Sequence, residues 1–128
     1  VLHLLLERLP QAQREQKRII LFHLWRLPSE REAIAAVYRQ YMESDDGELR
    51  FDAMVLLGRV TEPRDQIALY RSCLKDRDQR VRKLALERLA QLEPAELMAL
   101  KPEIESMLSD PQMPVKQAAM RALKGIGS

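Results

Sequence analysis

Two histidines, one cysteine and a crowd of carboxylates are the residues of this 128-residue chain whose chemistry goes beyond packing. His3 and His23 stand 20 positions apart with no carboxylate at ligand spacing, so no metal centre is expected. Cys73 falls between Tyr70 and Leu74 on the apolar side of a helical pattern, which reads as a small core residue and not as a nucleophile. Glu43, Asp45, Asp46 and Glu48 lack the ligand spacing and glycine of a calcium loop, and a solvated turn between helices accounts for them. Gly47, Gly58, Gly125 and Gly127 never cluster beside a Lys-Ser or Lys-Thr pair, so no phosphate-cradling loop is present. The expectation is a protein that is not an enzyme and has no metal and no cofactor.

Composition narrows the class. With 46% hydrophobic and 31% charged residues the chain is too apolar to be disordered, and one cysteine excludes a disulfide scaffold. Twenty-one basic against 19 acidic residues leave a net charge of +2, which makes no global demand for nucleic acid or an anionic membrane. The most apolar stretch, Ile19 to Trp25, stops at Arg26, far short of the roughly 20 residues that span a bilayer, so no membrane insertion is expected. Residues 1–9 are amphipathic and show neither the basic start nor the small-residue cleavage site of a signal peptide. The start reads as the cut edge of a longer protein, with a cytoplasmic location.

Helical spacing is everywhere and strand alternation nowhere. Ser29 and Glu32 form a capping box ahead of Ile34, Val37, Tyr38 and Tyr41; Pro63 and Pro94 suit first-turn positions; Gly125 and Gly127 supply a C-terminal stop. The pattern is all-α, and it repeats. Val81-Arg82, Ala85 and Leu89 recur 34 residues later as Val115-Lys116, Ala119 and Leu123. They recur 32 residues earlier as Leu49-Arg50, Ala53 and Leu57, and weakly 33 before that as Gln16-Lys17, Ile20 and Leu24. Each is preceded by another amphipathic helix, carrying Ile34/Val37/Tyr41, Ile67/Tyr70/Leu74 or Ile104/Met107/Leu108.

These residues resemble the HEAT and HEAT-like (PBS-lyase-type) helical repeat family. The resemblance lies in Lys101-Pro102-Glu103-Ile104, Leu108-Ser109-Asp110-Pro111, Val115-Lys116, Ala119 and Leu123-Lys124-Gly125-Ile126-Gly127. Leu74-Lys75-Asp76, Val81-Arg82, Ala85 and Leu89 carry it too. It is good over residues 63–127, fair over 30–60 and poor over 1–28, with Ser44 in place of the turn Asp and Gln16 in place of Val. It implies an α-solenoid of about four HEAT-like hairpins filling one domain, 1–128, with repeats near 1–28, 29–61, 62–93 and 94–128. It also implies a first helix bent at Pro102 and a turn capped by Asp before Val-Arg opens the second helix. Nothing points to a pigment, although bilin-lyase-like proteins share such repeats.

Elementary physics supports the same architecture. A hairpin of about 33 residues cannot bury its apolar face alone, so neighbours must stack. The small column Ala53/Ala85/Ala119 lets helices approach closely. Arg50, Arg82 and Lys116 share a second column, with Asp76 and Asp110 at their turns, which reads as a structural ladder of ion pairs and hydrogen bonds.

Projection of the second helices about Val81 leaves one arc facing away from the core. In the first two repeats that arc carries Arg18, Phe22, Trp25 and Arg26, then Phe51, Val55, Gly58 and Arg59. Three of the six aromatic residues therefore share one face with arginines, the composition of an interaction hot spot, and the chain is expected to be a protein-interaction or scaffold module that binds an acidic, apolar helix or peptide on its concave face. The competing reading is that these aromatics pack on neighbouring structure. An alternative partner is a nucleic-acid backbone bound by Arg77, Arg80, Arg82 and Lys83, although Glu87 and Gln117 interrupt any longer basic row.

Overall fold

Every regular element that the computed structural model describes, over residues 2–27 and 30–126, is helical. In order these are α1 (Leu2–Arg8), α2 (Arg14–Leu24), α3 (Arg31–Tyr41), α4 (Gly47–Val60), α5 (Pro63–Cys73), α6 (Gln79–Leu89), α7 (Pro94–Ala99), α8 (Lys101–Ser106) and α9 (Met113–Lys124). Short 3-10 turns occupy Leu9–Gln11 and Met107–Ser109. The chain divides into two compact units, Val1–Pro63 and Arg64–Ser128.

In the first unit α4 packs against both α2 and α3. Its sequence suits that place: Leu49, Ala53, Met54, Leu56, Leu57 and Val60 are all buried, and they lie on more than one face of the helix. The Asp46 carboxylate caps α4 by accepting the Glu48 N–H at 2.9 Å. Helix α2 opens with a reciprocal cap between Gln13 and Gln16. Leu21 and Leu24 anchor α2, Ile34 and Tyr38 anchor α3, and the Tyr38 hydroxyl donates to the Leu21 carbonyl at 2.6 Å. Burial pushes this phenol up to about 12, against a smaller opposing effect of the Trp25 backbone.

In the second unit α9 packs on α6, α8 and the Met107–Ser109 turn. Val81, Ala85, Leu86 and Leu89 of α6 are buried, as are Val115, Ala118, Ala119 and Ala122 of α9. An alanine-rich face of this kind admits close helix approach. Pro63 and Pro94 begin α5 and α7, where a missing N–H costs nothing. The expected single helix bent at Pro102 is instead two short helices. The backbone leaves the helix at Leu100 (φ −100°, ψ 2°) and resumes as α8, with Pro102 in its first turn. Gly125 ends α9 with φ −67°, so it is not the left-handed stop expected of a glycine; a Cβ there would lie 3.4 Å from Leu97 Cδ2. Ser29, of the expected capping box, and Gly127 lie outside the described residues.

One turn recurs at the entrance to α4, α6 and α9. Ser44 Oγ accepts the Asp46 N–H at 3.1 Å, Asp76 Oδ1 the Asp78 N–H at 2.8 Å, and Asp110 Oδ1 the Gln112 N–H at 2.9 Å. Six residues after the first two, an arginine reaches back along its own chain: Arg50 Nη1 donates to the Ser44 carbonyl and Arg82 Nη1 to the Asp76 carbonyl, both at 2.9 Å. Ser44 departs from the aspartate pattern in type only. Its hydroxyl makes the bond that the carboxylates make elsewhere.

Candidate functional site

The site is built from the outer sides of α2 and α4. Leu21 and Leu24 turn inward, which obliges Ile19, Phe22 and Arg26 to turn outward; Phe22 is 40% exposed and Ile19 59%. On α4, Phe51, Val55 and Arg59 stand four residues apart in one stripe, the first two half-buried and Arg59 exposed. The two helices pair side by side and run parallel, because their contacts advance together. Arg14 donates to Asp46 at 2.9 Å, Arg18 Nε to Asp52 at 2.7 Å, and the Arg59 guanidinium sits 4.8 Å from the centre of the Trp25 ring.

Trp25 forms the C-terminal cap of α2, and its indole is flanked by Arg59 and, at 5.7 Å, by Arg26. Beside it opens a concavity of about 320 Å³, lined among the described residues by Trp25, Leu27, Arg31, Ile34, Arg59 and Val60. Ile34 and Val60 supply a buried apolar floor, while Arg31 and Arg59 are exposed cations on its walls. Neither arginine has a carboxylate partner among the described residues, and nor does Arg26. No protein-family model, curated protein or solved structure matches the chain. The site is therefore read from its own chemistry: a half-buried aromatic, an apolar floor and positive charge left unneutralised within the unit.

Arg18 differs from its expected neighbours on the outward arc. Its guanidinium is drawn inward by Asp52, whose side chain is 3% exposed, with Glu48 at 3.3 Å and Glu15 at 3.9 Å. The hydrogen bond that Arg18 donates to Asp52 raises the Arg18 pKa further above its ordinary value, so this charge belongs to the α2–α4 joint. The acidic turn needs correction as well. Asp46 and Glu48 are not merely solvated, because both receive Arg14, and Glu48 also receives Arg18. Burial pushes the Asp46 carboxyl up, but the Arg14 hydrogen bond and the capped N–H outweigh it and hold the group below the usual aspartate value.

The second unit holds the other expected residues. Arg82 is engaged by Asp110 at 2.8 Å through Nε and 3.2 Å through Nη2. Arg80 folds onto Asp78 at 2.7 Å, the Arg77 carbonyl accepts from Arg82 at 3.1 Å, and Lys83 is half-buried. Arg80 and Arg82, both weighed for nucleic acid, are thus paired with carboxylates. Lys116, of the structural ladder, stands six residues after Asp110, as Arg82 does after Asp76, and is half-buried.

Cys73 is buried, and burial pushes its thiol up to about 11, the opposite of what a nucleophile needs. His3 does have a carboxylate one turn away, contrary to the spacing expected: Glu7 lies 2.9 Å from its Nε2 in an exposed pair. Among the described residues no three His, Cys, Asp or Glu side chains come together as a metal site. No helix there is long and apolar enough to cross a membrane.

Asp52 is the residue that helical projection passed over. It stands between Phe51 and Ala53 on the buried part of α4 and is 2% exposed. The signal that finds it is charge complementarity one repeat away, since Arg18 lies 34 positions earlier.

Proposed function

We propose that the chain is a non-catalytic HEAT-like module, an α-solenoid of about four hairpins, that binds an acidic, apolar-bearing helix or peptide of another protein. Support for the stacked architecture comes from the spacing of its polar contacts. Arg14–Asp46 spans 32 positions, Arg18–Asp52 spans 34 and Arg71–Glu103 spans 32, which is the period of the sequence repeat. The observation that carries the binding reading is the α2–α4 face. Phe22, Trp25 and Phe51 lie there with Arg26 and Arg59, whose charge nothing described in the unit neutralises. A single buried thiol with no disulfide partner suits the reducing cytoplasm.

Peptide display against the whole chain tests this reading, compared with a Phe22→Ser/Arg26→Glu variant whose two changed side chains are exposed. Sequences rich in Asp, Glu and apolar residues should be enriched by the wild type and lost by the variant, with helical content unchanged. Equal enrichment by both proteins, or sequences without acidic residues, would defeat the proposal. Tight, steeply salt-dependent binding of single-stranded DNA would replace it with the nucleic-acid reading.

A further inference from the structure

We infer that the concavity between the C-terminal end of α2, the first turn of α3 and the end of α4 receives the C-terminal residue of a partner polypeptide. That residue carries an apolar side chain. The inference rests on the peptide-binding reading and specifies where such a peptide is anchored and by which end.

Three observations lead to it. The first is size: about 320 Å³ is at the bottom of the roughly 300–1,000 Å³ range of ligand sites, space for one or two residues and not for a turn of helix. Second, the lining is of two kinds. Leu27, Ile34 and Val60 ask for an apolar group, and Arg31 and Arg59 ask for an anion. In so small a space the most compact way to supply both groups is from a single residue. The last residue of a chain is the one that carries an apolar side chain and a carboxylate on a single Cα.

The third observation is how Arg59 is held. Its guanidinium lies over the Trp25 ring at 4.8 Å. A guanidinium drawn to a ring by its charge keeps N–H groups with which it can bind a carboxylate through two parallel bonds. The side chain is thus ordered before a ligand arrives, which lowers the entropic cost of capture.

Trp25 is the only tryptophan, so its fluorescence and its indole N–H resonance report directly on the pocket. The full chain is titrated with N-acetyl-leucine, with N-acetyl-leucinamide, and with acetyl-Leu-Glu-amide, which places the carboxylate on a side chain. N-acetyl-leucine should shift the Trp25 signals saturably with a Kd of about 1–5 mM, the range expected of a ligand this small. The neutral amide should bind at least tenfold more weakly, and Arg31→Gln should weaken the acid at least fivefold while leaving the thermal midpoint unchanged. Acid and amide that titrate alike, or no saturable response, overturn the inference. Equal binding of acetyl-Leu-Glu-amide overturns the C-terminal assignment. Failure here is separable from failure of the broader reading, because Phe22→Ser/Arg26→Glu alters the α2 face and Arg31→Gln only the pocket.

Discussion

Replacing Asp110 with Asn isolates the charge in the joint between α6 and the entrance to α9. The carboxylate is 8% exposed and accepts Arg82 Nε at 2.8 Å, Arg82 Nη2 at 3.2 Å and the Gln112 N–H at 2.9 Å. Asparagine keeps the shape and one oxygen, so the Gln112 bond survives while Arg82 loses its counter-charge. A hydrogen bond to a charged group contributes roughly 1.5–3 kcal/mol, and removing one partner of a fully buried pair costs roughly 3–5 kcal/mol. With side chains 14% and 6% exposed, some screening by water remains. We expect Asp110→Asn to cost about 2 kcal/mol and Asp110→Ala, which also orphans the Gln112 N–H, about 3 kcal/mol. Urea unfolding followed by circular dichroism at pH 7 measures both. The pH dependence has a definite sign. Burial pushes the Asp110 carboxyl up, but Arg82, the Gln112 N–H and Lys116 outweigh it and hold the group below the usual aspartate value. The stabilisation is therefore complete above the ordinary aspartate pKa and is lost as pH falls through the lower value of the folded protein. The gap between wild type and Asp110→Asn should persist at about pH 5 and close below about pH 4. Equal stability at pH 7, or a gap unchanged down to about pH 2, would refute the electrostatic account. Converting both partners to apolar residues, Arg82→Met with Asp110→Leu, should cost less than either single charge removal.

Two other perturbations probe the remaining buried groups. Arg18→Met leaves the Asp52 carboxylate buried without a partner and should cost about 2 kcal/mol, discounted from the fully buried figure because Arg18 is about a third exposed. The Arg18→Met/Asp52→Leu pair should recover most of that loss in urea, and a double variant as unstable as the single one would sink the idea. Cys73 should resist Ellman's reagent at about pH 8 in the native protein and react within seconds once unfolded; immediate native labelling would contradict its burial. Because its folded value of about 11 lies above its ordinary 9.0, its contribution is full below that ordinary value and declines as pH rises from there.

The helices and their inward faces were legible because burial imposes a period on the residues that face the core. Ala53, Ala85 and Ala119, one column in the sequence, are each 0% exposed, and Val81 and Val115 occupy equivalent buried positions. The candidate face was legible in composition but not in depth. A projection of one helix knows nothing of its neighbours, so Trp25 and Phe51 were placed on an open arc although both are half-buried. Polar partnerships across repeats were the least readable. Arg18 and Asp52 are 34 positions apart, and no single-helix pattern joins them. Arg31 entered the site only through folding, since it belongs to α3 and shares no column with the α2 and α4 residues.

The recurring turn before α4, α6 and α9 has an evolutionary consequence. Its bonds close within three residues, and the two arginines that reach back do so over six. A stretch of about 33 residues copied by tandem duplication would thus arrive with its own corner already complete. The handshake between segments uses the same corner: Arg82 needs Asp110, the corner acid of the segment that follows. Selection on a lengthened or shortened array would then act on one acidic position per added segment. Ser44 shows that the corner itself tolerates a neutral side chain.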